Sequence, residues 1–105
     1  IRSGDLLFVS GQLPIDPATG AFVSGDAVAQ MRQCLANIAA IAKAAGTDLT
    51  KTVKTTVLLT DLDGFAAINE EYGRAFSAPF PARACYEVSA LPKGALVEVE
   101  AVIAC

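Results

Sequence analysis

Three charged residues stand inside or at the mouth of the most apolar stretches of this chain. The run Ala95-Leu96-Val97-Glu98-Val99-Glu100-Ala101-Val102-Ile103 is apolar except for two carboxylates. Leu91-Pro92-Lys93-Gly94 turns into it, and Pro81-Ala82-Arg83-Ala84-Cys85 opens a shorter apolar run before it. β-Branched and apolar residues in such runs favour a pleated, half-buried surface, so both read as strands. A charge in such a strand is costly unless it is paired or used. The fold must therefore give Arg83, Glu98 and Glu100 a partner, water or a ligand. A guanidinium fork holds a carboxylate through two parallel hydrogen bonds. A glutamate nearby moves a proton or orients water. The residue types outline a small-molecule site.

Alternation along a strand places Arg83, Cys85 and Glu87 on one face, with Ala84, Tyr86 and Val88 on the other. In the last strand Glu98, Glu100 and Val102 share a face. A simple hairpin centred near Pro92-Lys93 pairs Arg83 with a residue near Val102. Glu98 then lies about four residues away, or ~13 Å at ~3.3 Å per residue. Arg83 and Glu98 share a site only if these strands do not form a simple hairpin, or if the site is built between subunits.

The remaining elements follow from periodicity. Asp5 to Ser10 reads as a buried strand. Gln12 to Pro17 reads as extended and edge-like, because its prolines lack a ladder donor. Ala18-Thr19-Gly20 is a turn, and Ala21-Phe22-Val23 a short strand. A helix is expected from about Asp26 to Ala45, with Val28, Met31, Leu35, Ile38, Ala42 and Ala45 on one face, Asp26 as N-cap and Gly46 as the stop. Thr52 to Thr60 is a strand with Val53, Thr55, Val57 and Leu59 on one side. A second helix, capped by Asp63, carries Phe65, Ile68, Tyr72 and Phe76 on one side and ends near Ser77, since Pro79 and Pro81 forbid its continuation. The fold class is α+β: two helices packed on one face of a sheet, in a single domain over residues 1–105.

Composition narrows the function. With 105 residues and 53% apolar content, the chain has more apolar surface than one small domain hides. A homo-oligomer is expected, with the helix-free sheet face as its contact surface. The net charge is −3, from eight scattered basic residues and 11 acidic ones. Nucleic acid needs clustered Lys and Arg, so it is not an expected partner. There is no histidine, which removes the commonest general base and metal ligand. The three cysteines, Cys34, Cys85 and Cys105, lack metal-site spacing and are odd in number, which fits a reducing, cytoplasmic setting. No apolar run reaches the length of a membrane span. No metal or cofactor is expected.

Each candidate has a plainer reading. Arg83 is either a ligand clamp or a structural ion pair with Glu100 or Glu87. Either glutamate is also compatible with a solvent-facing place on an edge strand. Cys85 reads more readily as a small buried apolar residue than as a nucleophile, for no base accompanies it. Asn69, four residues after Phe65 and between apolar neighbours, reads as a satisfied buried side chain. Ser10-Gly11-Gln12 reads as a strand end where glycine permits an unusual turn.

Taken together, these segments resemble the RidA/YjgF family, also labelled endoribonuclease L-PSP or translation inhibitor. Ser10-Gly11-Gln12-Leu13-Pro14 is similar to the family's S-G-Q-x-P segment, and Asn37 sits where its first helix carries asparagine. Val53-Lys54-Thr55-Thr56-Val57 and Phe65-Ala66-Ala67-Ile68-Asn69 resemble its middle. Pro81-Ala82-Arg83 with Cys85, Leu91-Pro92-Lys93 and Val97-Glu98-Val99-Glu100-Ala101 resemble its C-terminal signature. The resemblance covers nearly all of the chain. It implies a chorismate-mutase-like mixed sheet, assembly as a trimer, and active sites in clefts between subunits. It also implies hydrolysis of reactive 2-imino acids, such as 2-iminobutanoate and 2-iminopropanoate, to 2-keto acids and ammonia. On this resemblance Arg83 is the carboxylate clamp and Glu98 the acid-base group acting with water. Ser10, Phe65, Asn69 and backbone near Cys85 line the pocket, and Glu100 is structural. Family members commonly begin with a segment containing glycine-proline-tyrosine, whose tyrosine reaches the site. The sequence starts at Ile1 without it, so a trimmed or shortened chain is expected.

A non-catalytic sensor or binding module for small carboxylates keeps Arg83 and leaves Glu98 a bystander. A ribonuclease, as the older label suggests, is disfavoured by an acidic chain with no histidine.

Overall fold

In the computed structural model, which describes residues 1–105, Asp26 opens helix α1, Ala27–Ala44. Its carboxylate accepts the Ala29 N–H at 3.0 Å, satisfying one of the donors that a helix start leaves unpaired. Ala45 closes the helix, and Gly46 follows at φ +84°, a conformation glycine adopts without a steric penalty. Met31, Cys34, Leu35, Ile38 and Ala42 form the buried stripe.

The strands are β1 (Arg2–Ser3), β2 (Leu6–Gln12), β3 (Thr52–Leu59), β4 (Ala82–Glu87) and β5 (Val97–Ala104), in the sheet order β1-β2-β5-β3-β4. Helix α2, Phe65–Gly73, is the crossover that lets β4 pair parallel with β3, since a parallel pair needs a long connection. β5 lies antiparallel between β2 and β3. The two C-terminal strands are thus not a hairpin. Glu87 and Val97 both register against Leu59, so residues 88–96 carry the chain past the end of β3. Backbone bonds Val88 N–H to Leu59 O (2.8 Å) and Thr60 N–H to Leu96 O (3.2 Å) fasten that crossing.

Both helices cover one face of the sheet. Leu7, Val9, Val57, Leu59, Val97, Val99, Ala101 and Ile103 meet Met31, Leu35 and Ile38 of α1 and Ile68 and Tyr72 of α2 in one core. Burying each large aliphatic side chain there contributes about 1.5–3 kcal/mol. The other face is free of helices. It exposes Phe8 and Tyr86, which are 45% and 58% accessible.

Several local expectations need correction. The β3–β5 register shifts between Thr52 and Lys54, which resets the alternation: Thr52 is buried, and Val53 turns outward with 49% of its surface exposed. α2 ends at Gly73 rather than near Ser77, and turns carry Arg74 to Phe76. Asp63 does not cap α2. Asp61 caps the preceding single-turn helix Leu62–Gly64 by accepting the Asp63 N–H at 2.8 Å. Residues 21–23 form only an isolated bridge, Ile15 to Phe22. β1 is an additional strand. No helix is long and apolar enough to cross a membrane, and the three cysteines are free.

Candidate active site

Arg83 lies on the edge strand β4, opposite Thr55 of β3, on the helix-covered side. Its guanidinium carbon is 4.8 Å from the centre of the Tyr72 ring and 5.5 Å from that of Phe65. Its Nη1 donates to Asn69 Oδ1 at 2.5 Å. Phe65, Asn69 and Tyr72 follow each other on α2 at steps of four and three, so one helix face supplies all three. Below them the Tyr72 and Thr55 hydroxyls bond each other at 2.6 Å within the core. Stacking of this kind contributes about 0.5–2 kcal/mol and restricts where the guanidinium points. Burial pushes the Tyr72 phenol up, against the opposing effects of the Thr55 hydrogen bond and the Arg83 charge.

Arg83 itself forms no ion pair. The ion pairs of the chain are Arg32–Glu71, Arg74–Glu70 and Arg74–Glu71. Glu87 accepts the Leu62 N–H at 3.0 Å, and Glu100 sits on the other face. The structural pair with Glu87 or Glu100 therefore does not form. A guanidinium has five donors; here it is aimed by three side chains and left exposed. Asn69 is exposed as well, not buried between apolar neighbours, because its side chain leaves α2 to reach Arg83.

Cys85 is two residues along from Arg83 on the same face, half-buried against the core. Burial pushes its thiol up, and Arg83 pulls the other way. The net upward shift keeps it protonated, which disfavours a nucleophilic role.

Glu98 lies elsewhere. It registers against Leu58 of β3, which in turn registers against Tyr86 of β4. Arg83 registers against Thr55. Thr55 and Leu58 are an odd number of residues apart, so Arg83 and Glu98 project from opposite faces. The half-buried Glu98 side chain lies along Gly11. A Cβ placed on Gly11 would collide with Glu98 Oε1 and stand 2.9 Å from its Cδ. The β2–β5 register shifts between Val9 and Gln12, so Ser10 and Gly11 form a bulge beside Glu98. Ser10 is exposed and joins Phe8, Val53, Lys54, Glu100 and Val102 around a shallow depression of about 570 Å³ on the helix-free face.

The candidates thus divide. Phe65, Asn69, Arg83 and Cys85 gather on one side of the sheet edge, and Ser10 and Glu98 on the other. One copy of the chain does not bring Arg83 and Glu98 into a common pocket. Sequence reasoning missed the Tyr72–Thr55 hydroxyl pair beneath Arg83, though a threonine on the buried side of β3 was its signal. It also missed Glu71, only 6% exposed, whose Oε1 accepts Arg32 Nε at 2.8 Å and ties the two helices together.

The endoribonuclease L-PSP family model matches residues 1–105. A RutC family protein, y4sK of Sinorhizobium fredii, is 74% identical over 103 residues, which is 98% of this chain and 82% of that protein. The 2-iminobutanoate/2-iminopropanoate deaminase of Capra hircus is 52% identical over 96 residues, 91% of this chain and 70% of that protein. The crystal structure of RidA from an Antarctic Psychrobacter superposes with a TM-score of 0.95 at 44% identity, covering 100% of this chain and 85% of that one.

Proposed function

The chain belongs to the endoribonuclease L-PSP family, and from that premise we propose that it hydrolyses small 2-imino acids to 2-keto acids and ammonia, in clefts between the subunits of a homotrimer. The observation that carries this reading is Arg83: a guanidinium held by Asn69, Phe65 and Tyr72 yet facing no carboxylate of its own chain. Such a group suits an anion brought from outside. The similarity to relatives named as deaminases of 2-iminobutanoate and 2-iminopropanoate gives that anion its class.

A 2-imino acid carries its carboxylate next to a polarised C=N bond. Bidentate binding by Arg83 fixes the carboxylate and thereby the angle at which water meets the neighbouring carbon. Protonation of the imine nitrogen makes that carbon electrophilic. Water adds to form a carbinolamine, a second proton goes to the amine, and ammonia leaves as the C=O forms. Glu98 accepts the proton from water and returns it to nitrogen, with Ser10 on the same side of the pocket. Because Glu98 and Arg83 project from opposite faces of one sheet, Glu98 comes from the neighbouring subunit. Burial of the helix-free face in the trimer covers Phe8, Val53 and Tyr86 and answers the high apolar content.

The test is kinetic. A threonine dehydratase generates 2-iminobutanoate, and release of 2-ketobutanoate is followed with and without the protein. Acceleration that disappears with Arg83→Ala is the expected result, and acceleration unchanged by that substitution refutes the assigned role. The second reading, a binding module for small carboxylates, is favoured by the separation of Arg83 from Glu98 within one chain. Saturable binding of 2-ketobutanoate without turnover would select it.

A further inference from the structure

Gly11 has no backbone reason to be glycine. Glycine weakens a strand, and its presence there often marks the close approach of another group. Five of the eight glycines take a positive φ, but Gly11 is not among them. What Gly11 provides is space. A Cβ at this position would collide with Glu98 Oε1, stand 2.9 Å from Cδ and 3.2 Å from Cγ. The three heavy atoms nearest that Cβ all belong to Glu98. The whole end of the Glu98 side chain therefore runs along the bare backbone of the β2 bulge.

We infer that Gly11 is the positioning residue for Glu98: its missing side chain lets the carboxylate lie along the Ser10–Gly11 bulge, and filling that space displaces the acid-base group without dismantling the fold. The inference rests on the hydrolase reading above and adds a residue to it. The atoms in the way are the far end of a flexible side chain, so an alanine methyl at position 11 is relieved by rotation of Glu98 rather than by movement of β2 or β5. A packing role predicts the opposite balance, with stability lost and the carboxylate left in place. Arg83, on the other face, is untouched by the change.

The test is Gly11→Ala, alone and combined with Glu98→Gln, with Gly73→Ala as a control at a glycine whose Cβ would meet nothing within 4 Å. Gly11→Ala is expected to lower kcat about 100-fold, the lower end of what a positioned acid-base group supplies. KM stays within about twofold, since carboxylate binding through Arg83 is kept. In the Glu98→Gln background Gly11→Ala loses nothing further, because both changes remove the same contribution. Gly73→Ala keeps full activity. Equal kcat losses in both backgrounds, or a kcat within about twofold of wild type, overturn the inference. If Gly11→Ala does not fold, Gly11→Ala with Glu98→Ala folds when the collision is the cause; failure of that double variant also overturns it. A wild-type chain that hydrolyses no 2-imino acid defeats the hydrolase reading alone. The carboxyl carbon resonance of Glu98 then decides: displaced in Gly11→Ala but not in Gly73→Ala, the positioning stands; unmoved in both, it falls.

Discussion

Arg83 and Glu98 stand on opposite faces of one sheet, separated by β3. Arg83 faces the helices beside Thr55, and Glu98 faces away beside Leu58. Had β4 and β5 paired as a hairpin, the two would lie on neighbouring strands. Instead β5 enters between β2 and β3, and β4 goes to the edge. The edge position leaves Arg83 reachable from outside, with one side of its strand unpaired. The central position of β5 seats Glu98 against the bulge of β2. Arg83 is thus exposed on the helix-covered side, while Glu98 is half-buried on the other.

Arg83→Lys should separate charge from geometry. Lysine keeps the positive charge but loses the planar fork, the stacking on Tyr72 and Phe65, and the fixed bond to Asn69. A charged hydrogen bond contributes about 1.5–3 kcal/mol, so the affinity for 2-ketobutanoate should fall about 10- to 150-fold. Titration calorimetry reads this directly. An affinity within about twofold of wild type would mean that charge alone suffices.

Tyr72→Phe should act on stability more than on the ligand. It keeps the ring under Arg83 and removes the hydroxyl partner of Thr55, a residue only 1% exposed. A buried polar group left without a partner costs about 1–3 kcal/mol. Adding Thr55→Val removes the orphaned hydroxyl and should recover part of that loss. Urea unfolding of the two single variants and the double variant closes the cycle. Additive losses would show that the two hydroxyls are not coupled.

Much of this was legible in the sequence because it is local. The recurrence of Met31, Leu35, Ile38 and Ala42 placed α1, and Asp26 and Gly46 marked its ends. Alternation correctly put Arg83, Cys85 and Glu87 on one face and Glu98 and Glu100 on a shared face of β5. What escaped depends on contacts between distant segments. Whether β4 meets β5 or β3 is decided by α2 as a crossover and by Leu59 accepting neighbours on both sides. The outward turn of Val53 comes from a register shift against β5, which no alternation count reveals. The candidate site was legible only as a set of residue types, and the resemblance implied roles for them. That Gly11 underlies Glu98 is a contact between β2 and β5, invisible until the strands are paired.

Cys34 should make the fold sensitive to alkali. It is fully buried on α1, and its Sγ donates to Val97 O at 3.7 Å. Burial, reinforced by the Glu98 charge, pushes the thiol up from 9.0 to about 12. Below pH 9 the thiol is protonated in both folded and unfolded chains, and its contribution to stability is complete. Between pH 9 and about 12 the unfolded chain releases the proton while the folded chain keeps it, so stability falls with rising pH by up to about 1.4 kcal/mol per pH unit. Cys34→Ala removes this dependence while lowering stability at neutral pH through the space it leaves. The stability gap between wild type and variant should therefore narrow as pH rises above 9. A gap that stays constant up to about pH 11 would show that Cys34 does not carry the effect.

Mixing two inactive variants should restore activity. If each site takes Arg83 from one subunit and Glu98 from its neighbour, Arg83→Ala subunits still supply Glu98, and Glu98→Ala subunits still supply Arg83. Each variant alone has no complete site. After unfolding and refolding an equal mixture, a site is complete only where an intact Arg83 meets an intact Glu98. Random assembly of a closed ring makes that about a quarter of the sites. Activity should therefore return to about a quarter of wild type, while the two proteins mixed without refolding stay inactive unless subunits exchange. The result separates the two ways in which opposite faces could matter. A site built within one chain predicts no recovery at any mixing ratio, because every chain then carries a defect in its own pocket. Recovery that follows the product of the two subunit fractions, greatest at equal mixing, identifies a site shared across a subunit boundary.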